Sequence, residues 1–204
     1  MAARVHLLVL AFILHLVAAP PASLAHIVVY GTTMSGAAEF PPNGSLGTGV
    51  STVTINDHDF SMRVEASFSG LTGTTTIAHI HAATTIAGTG TAGVATALPT
   101  FPGFPAGVTS GTYDQTFDMT QAASWNPAFV TANGGTTGAA FSALLAALND
   151  GKAYFNVHTS FVGGGEIRGF YALVPEPSGL AFALIGGVLA MRHRRTGRIA
   201  LARE

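Results

Sequence analysis

Three histidines are the most concentrated chemistry in this sequence. His79 and His81 stand two apart in Ala78-His79-Ile80-His81-Ala82. On a β-strand that spacing sends both side chains to one face, and pairing with a strand through Tyr154-Phe155-Asn156-Val157-His158 would bring His158 beside them. Three converging imidazoles make a site for Cu or Zn, since neutral imidazole is a common ligand of both. The same rings suit a second reading, in which they hydrogen-bond loops and neighbouring carboxylates and hold no ion. In that reading Glu166 and Arg168 form an ion pair that pins the last strand, fixing geometry more than adding stability.

Other chemistries find less support. The chain has no cysteine, which excludes disulfides, thiolate catalysis and Cys-ligated zinc. No Ser, His and Asp set stands in a nucleophile elbow. Gly163-Gly164-Gly165 lacks the Lys and the strand-to-helix setting of a phosphate loop and reads as a hairpin connection. Asp57 and Asp59 flank His58 between two strands, as at a solvated hairpin tip rather than a Ca²⁺ loop. Asn43-Gly44-Ser45 matches a glycosylation sequon but follows Pro41-Pro42 and reads as a turn. Trp125 and Phe129 plug the edge of the core, unless one is exposed and stacks on a sugar. With no assembled catalytic set, enzymatic activity is not expected. Between residues 26 and 173 eight acids face three bases, giving that stretch a net charge of −5. A mildly acidic surface does not attract phosphate backbones, so no nucleic-acid partner is expected.

The elements that must position the histidines are strands. Of 204 residues 48% are hydrophobic and only 9% charged, so Thr, Ser, Asn and Gly must wet the surface, a composition suited to strands and turns. Alternating runs at Ile27–Tyr30, Thr48–Ile55, Phe60–Phe68, Thr76–Ala82, Gly93–Ala97, Gly111–Phe117, Ala153–His158 and Glu166–Leu173 predict an all-β antiparallel sandwich or barrel. Within Thr137–Asp150, Phe141, Leu144, Leu145 and Leu148 recur at helical spacing. They predict one short amphipathic helix with Thr137 as N-cap and Gly151 at its stop. Asp118–Trp125 allows another helical turn, and Thr100–Val108 reads as a loop.

Five strings carry a family resemblance: Ala37-Ala38-Glu39-Phe40-Pro41-Pro42, Ser69-Gly70-Leu71, Ala78-His79-Ile80-His81-Ala82, Tyr154-Phe155-Asn156-Val157-His158-Thr159 and Gly165-Glu166-Ile167-Arg168-Gly169. Their order is similar to that in CHRD domains, the modules described in chordin and found singly in bacterial exported proteins. The resemblance spans residues 26–173. It departs at Phe161-Val162-Gly163-Gly164, where a Pro-Gly approach is commoner. It implies a β-domain and no general catalytic activity. The His-x-His strand in a sandwich also resembles Cu,Zn superoxide dismutase, without that family's bridging ligand set or disulfide.

The two ends read as targeting segments. Arg4, the apolar run Leu7–Val17, Pro20-Pro21 and Ser23-Leu24-Ala25 follow the pattern of a signal peptide over residues 1–25, with signal peptidase cutting between Ala25 and His26. After Pro175-Glu176-Pro177 comes an apolar helix at about 178–191, then Arg192-His193-Arg194-Arg195. Those residues cover about 20 Å as a helix against a membrane core of about 30 Å, too short for a comfortable span. Residues 174–204 read as one segment, in which Val174 to Arg198 resembles the PEP-CTERM sorting signal of bacterial envelope proteins and the tail from Gly197 to Glu204 departs from it. That resemblance implies transient insertion in the inner membrane and processing by an exosortase. The expectation is therefore an exported protein of the cell envelope, surface or extracellular space. Its expected role is binding or structural, with extracellular polysaccharide or surface proteins as partners and no cofactor. The alternative is a His-ligated Cu or Zn protein with possible redox activity.

Overall fold

The computed structural model describes residues 27–175. The expected signal peptide with Ala25 and His26, Glu176 and Pro177 of the sorting motif, and the apolar helix at about 178–191 lie outside the described residues. Among the described residues no helix is long and apolar enough to cross a membrane.

Eight strands follow one another: β1 (Ile27–Ser35), β2 (Thr48–Asn56), β3 (Ser61–Ser69), β4 (Thr75–His81), β5 (Gly111–Asp118), β6 (Tyr154–Thr159), β7 (Ile167–Phe170) and β8 (Ala172–Leu173). They form one antiparallel half-barrel sheet in the order β4-β6-β7-β1-β2-β3-β5, with β8 paired to β1. The predicted all-β class with one amphipathic helix holds.

The two ends of the sheet differ in how they use the period of two. In β2 and β3, Val53 faces Val64 and Ile55 faces Met62, and all four are buried while their neighbours in sequence reach solvent. One side of that half is core and the other is wet. In β6 every residue is buried. Its Phe155 and Val157 join the core with Ala78, Ile80 and Ile167, while Asn156 and His158 point to the opposite side, which loops cover.

The helix α2 (Thr137–Asn149) closes the core with Ala140, Phe141, Leu144, Ala147 and Leu148. Its N-cap is Thr136, one residue before the predicted one, and the Thr136 hydroxyl accepts from Ala139 N–H at 3.2 Å. A cap of this kind contributes about 1 kcal/mol. A short helix α1 (Pro127–Ala132) was not predicted, although Asn126 as cap and Pro127 at the first position are its signal. Trp125 and Phe129 are buried and stacked, centroids 5.9 Å apart, so they plug the core and leave no ring for a sugar.

Two predicted strands differ. Residues 93–97 make only isolated bridges, His81 to Val94 and Thr96 to Trp125. The reason is visible along the free edge of β4. Ala95 N–H and Phe101 N–H bond the carbonyls of Ile80 and Ala78, but Thr96 and Thr100 hydroxyls take the N–H groups of Ile80 and Ala78. Side chains replace half of a ladder, so the edge is covered without a regular strand. The predicted strand Glu166–Leu173 breaks at Tyr171, whose buried side chain turns inward to share a hydrogen bond of 2.8 Å with Ser51 Oγ.

Candidate metal centre

Strand register builds the site. His79 pairs with Asn156, and Asn156 with Arg168; His81 pairs with Tyr154, and Tyr154 with Phe170; Ile77 pairs with His158. Residues opposite one another share a face, so His79, His81 and His158 stand together on the side of β4, β6 and β7 away from the core. Their ring centroids form a nearly equilateral triangle with sides of 5.8, 5.6 and 5.9 Å. All three are buried.

The hydrogen bonds fix which nitrogen carries each proton. His79 Nε2 meets Pro99 O at 2.5 Å, His81 Nδ1 meets Ala92 O at 3.0 Å and His158 Nδ1 meets Gly163 O at 2.9 Å. A carbonyl only accepts, so each of these nitrogens is the donor and the other nitrogen of each neutral ring holds a lone pair. Those others are His79 Nδ1, His81 Nε2 and His158 Nε2, and none has a hydrogen-bond partner. One ligand nitrogen from each ring lies within 4.8 Å of the other two. A triangle of that side has its centre about 2.8 Å from each corner, so a shift under about 1 Å reaches metal bonds of 2.0 to 2.1 Å.

Electrostatics keep the rings neutral. Burial lowers the pKa of His79 and His158 and takes His81 down to about 4, outweighing the backbone acceptors that favour the charged form. Neutral rings with one nitrogen bonded to a backbone carbonyl and the other free match the way metal-bound histidines are oriented. Buried polar atoms without partners are rare, and three in one cluster of rings call for a cation or a donor. The residues present fit a Cu or Zn ion.

Glu166 and Arg168 do not pair with each other, which corrects the expected ion pair. Fully buried Glu166 accepts four hydrogen bonds, from Ser45 Oγ at 2.5 Å, Thr72 N at 2.6 Å, Thr159 Oγ1 at 2.6 Å and Gly73 N at 3.0 Å. Burial alone would raise its pKa, but these donors hold it below the ordinary value. The Asn43-Gly44-Ser45 turn is therefore the Glu166 clamp, and Asn43 Nδ2 adds bonds to the carbonyls of Gly165 and Glu166. Arg168 donates from Nε to Ala38 O and from Nη1 to Gly90 O, with Glu39 3.7 Å away. Its neighbour Glu39 is pushed up to about 7 by burial, against the pull of Arg168 and of hydrogen bonds from Phe40 and Asn156.

Glycine is required at two places beneath this face. Gly165 has φ +127 and lies against the Asn156 amide, and a Cβ on Gly169 would strike the backbone of Thr33. His58, Asp57 and Asp59 sit on an exposed hairpin tip, away from the triad. Pro175 is the last described residue. Sequence reasoning missed Glu39, Asn156 and Tyr154 as parts of the site, though each falls inside a quoted string. The acceptor carbonyls of Ala92, Pro99 and Gly163 carry no sequence signal at all.

No curated protein and no solved structure matches the chain. The CHRD domain profile matches residues 30–171, a range that contains the three histidines, Glu39, Asn156, Glu166 and Arg168. With most of its length matched, the chain belongs to the CHRD domain family.

Proposed function

We propose that this CHRD domain is an exported, non-enzymatic metal-binding module in which His79, His81 and His158 hold one Cu or Zn ion. One observation carries the reading: three clustered, buried imidazoles offer ligand nitrogens within 4.8 Å of one another, and each ring is bonded to a backbone carbonyl through one nitrogen and left without a partner at the other. X-ray absorption of the metal-loaded protein tests it. The expected spectrum has a nitrogen shell near 2.0 to 2.1 Å with imidazole scattering. A shell of oxygen alone, without imidazole scattering, would refute it.

Export rests on the two sequence ends. Signal peptidase would expose His26, and an exosortase would recognise Pro175-Glu176-Pro177 and release the tail, leaving the domain at the cell surface or in the extracellular matrix. There its role is binding or structural, toward extracellular polysaccharide or surface proteins. Mass spectrometry of the mature termini checks this. A mature chain beginning near His26 and ending near Glu176 is expected, and one that retains Arg203 would contradict the sorting reading.

A further inference from the structure

Tyr154 lies beside the triad in a way that ligand geometry alone does not require. Its ring is parallel to that of His81, with centroids 4.8 Å apart and 2° between planes. Its hydroxyl accepts from Ala92 N–H at 3.3 Å and donates to Ala92 O at 3.4 Å, the same carbonyl that takes the His81 proton. From β7, on the other side of β6, Arg168 sets its guanidinium 4.9 Å from the Tyr154 ring and 5.3 Å from Phe170. A permanent cation, an aromatic ring and a candidate ligand thus follow one another across three strands. Arg168 is 2% exposed, so water screens its charge little.

The neutral ligand set and the dryness of the site favour an ion of low charge. The three ligands are neutral and no carboxylate joins their cluster among the described residues. Glu166 keeps its negative charge, but its two oxygens are turned to the four donors and it is not one of the clustered ligands. Glu39 lies against Arg168 and has one oxygen without a partner. The cost of moving an ion into a dry site grows with the square of its charge, so a +2 ion costs about four times a +1 ion of the same size. Repulsion from Arg168 grows with the ion's charge as well. Three nitrogens in a near-equilateral array also satisfy a three-coordinate d¹⁰ ion, whereas divalent ions ask for a fourth ligand.

Resting on the metal-centre reading, we infer that the site takes copper as Cu(I) in preference to Cu(II) or Zn(II), and that Arg168, acting through Tyr154 and His81, is the positioning residue that sets this preference. Affinities of the full chain are measured for Cu(I) against bicinchoninate without oxygen, and for Cu(II) and Zn(II) against competing chelators. Cu(I) is expected to bind at least 100-fold tighter than either divalent ion. Arg168→Met lowers the ratio of Cu(I) to Cu(II) affinity about tenfold, a fall of about 59 mV in the one-electron potential. Arg168→Lys restores most of the ratio by keeping the charge. Above about pH 8, where Glu39 with its pKa of about 7 is ionised, Glu39→Gln moves it the other way, which keeps the test valid if Arg168→Met does not fold by circular dichroism. Binding of no ion would refute the metal centre itself. Divalent ions bound as tightly as Cu(I), or a ratio unmoved by Glu39→Gln and Arg168→Met, would leave the metal centre standing and overturn this inference.

Discussion

His79 and His158 lie on paired strands with ring centroids 5.6 Å apart, yet neither donates to the other. Each sends its proton to a loop carbonyl, Pro99 or Gly163, and keeps a lone pair on the other nitrogen without a partner. A pair of neutral histidines free to choose would bond to each other or to water. Two loop carbonyls forbid that choice. A bound ion should therefore stabilise the fold directly. At an ion concentration about 100 times its dissociation constant the gain is about 2.7 kcal/mol, or about 5 to 10 °C in Tm for a chain of this size. Thermal scans with and without ion should show that rise, and His79→Ala should abolish it. An unchanged Tm in the unmodified protein would contradict the site.

Glu166 holds three segments to the start of β7 through four donors. Replacing it with Gln puts an NH2 donor where a carboxylate oxygen stood, facing donors that need an acceptor. Urea denaturation of Glu166→Gln should show a loss of about 2 to 4 kcal/mol. Because Arg168 bonds elsewhere, Glu166→Gln and Arg168→Met should be additive within about 0.5 kcal/mol. A larger coupling energy would revive the direct ion pair.

The metal-free protein should lose stability in acid with a defined sign. The three imidazoles have lowered pKa values, His81 at about 4. Below the unfolded value of about 6.5 the unfolded chain binds more protons than the folded one. Their contribution is complete above that pH and declines as pH falls, by about 1.4 kcal/mol per unit from His81 until about pH 4. Glu39 acts in the opposite sense. Raised from 4.5 to about 7, its contribution is complete below the unfolded value and is lost as pH rises to about 7. Between those limits it partly offsets the histidines. Urea midpoints from pH 4.5 to 7 should therefore fall more steeply with acid in Glu39→Gln than in the unmodified protein. Equal slopes would show that Glu39 is ionised throughout.

Close backbone packing at Gly169 predicts a severe effect from one methyl group. A Cβ there meets the Thr33 carbonyl and the Thr32 hydroxyl at the β1–β7 junction. Gly169→Ala should cost more than about 2 kcal/mol by calorimetry, while Gly163→Ala, with open space around it, should cost under about 0.5 kcal/mol. Equal costs would mean that the junction relaxes freely.

Strand existence and the face of each histidine were legible because both follow from a period of two. His79, His81 and His158 needed only alternation and one pairing, which neighbouring β4 and β6 supply. The 93–97 segment was misread because its alternation marks side chains that cap an edge, and Thr96 and Thr100 look the same in either role. The Glu166–Arg168 pair was misread because i and i+2 on one face invite it. The better partners, Ser45, Thr72 and Ala38, come from chain nearly 100 or more residues away. No local pattern encodes such distant acceptors and donors, and the same holds for the carbonyls that set the histidine tautomers.

The most direct test of the central claim is elemental analysis of the full chain after loading with Cu(I) or Zn(II) and removal of excess ion. One ion per chain is predicted for the unmodified protein, and none for folded His79→Ala, His81→Ala or His158→Ala. No stoichiometric ion in the unmodified protein, or one ion retained in all three variants, would contradict it.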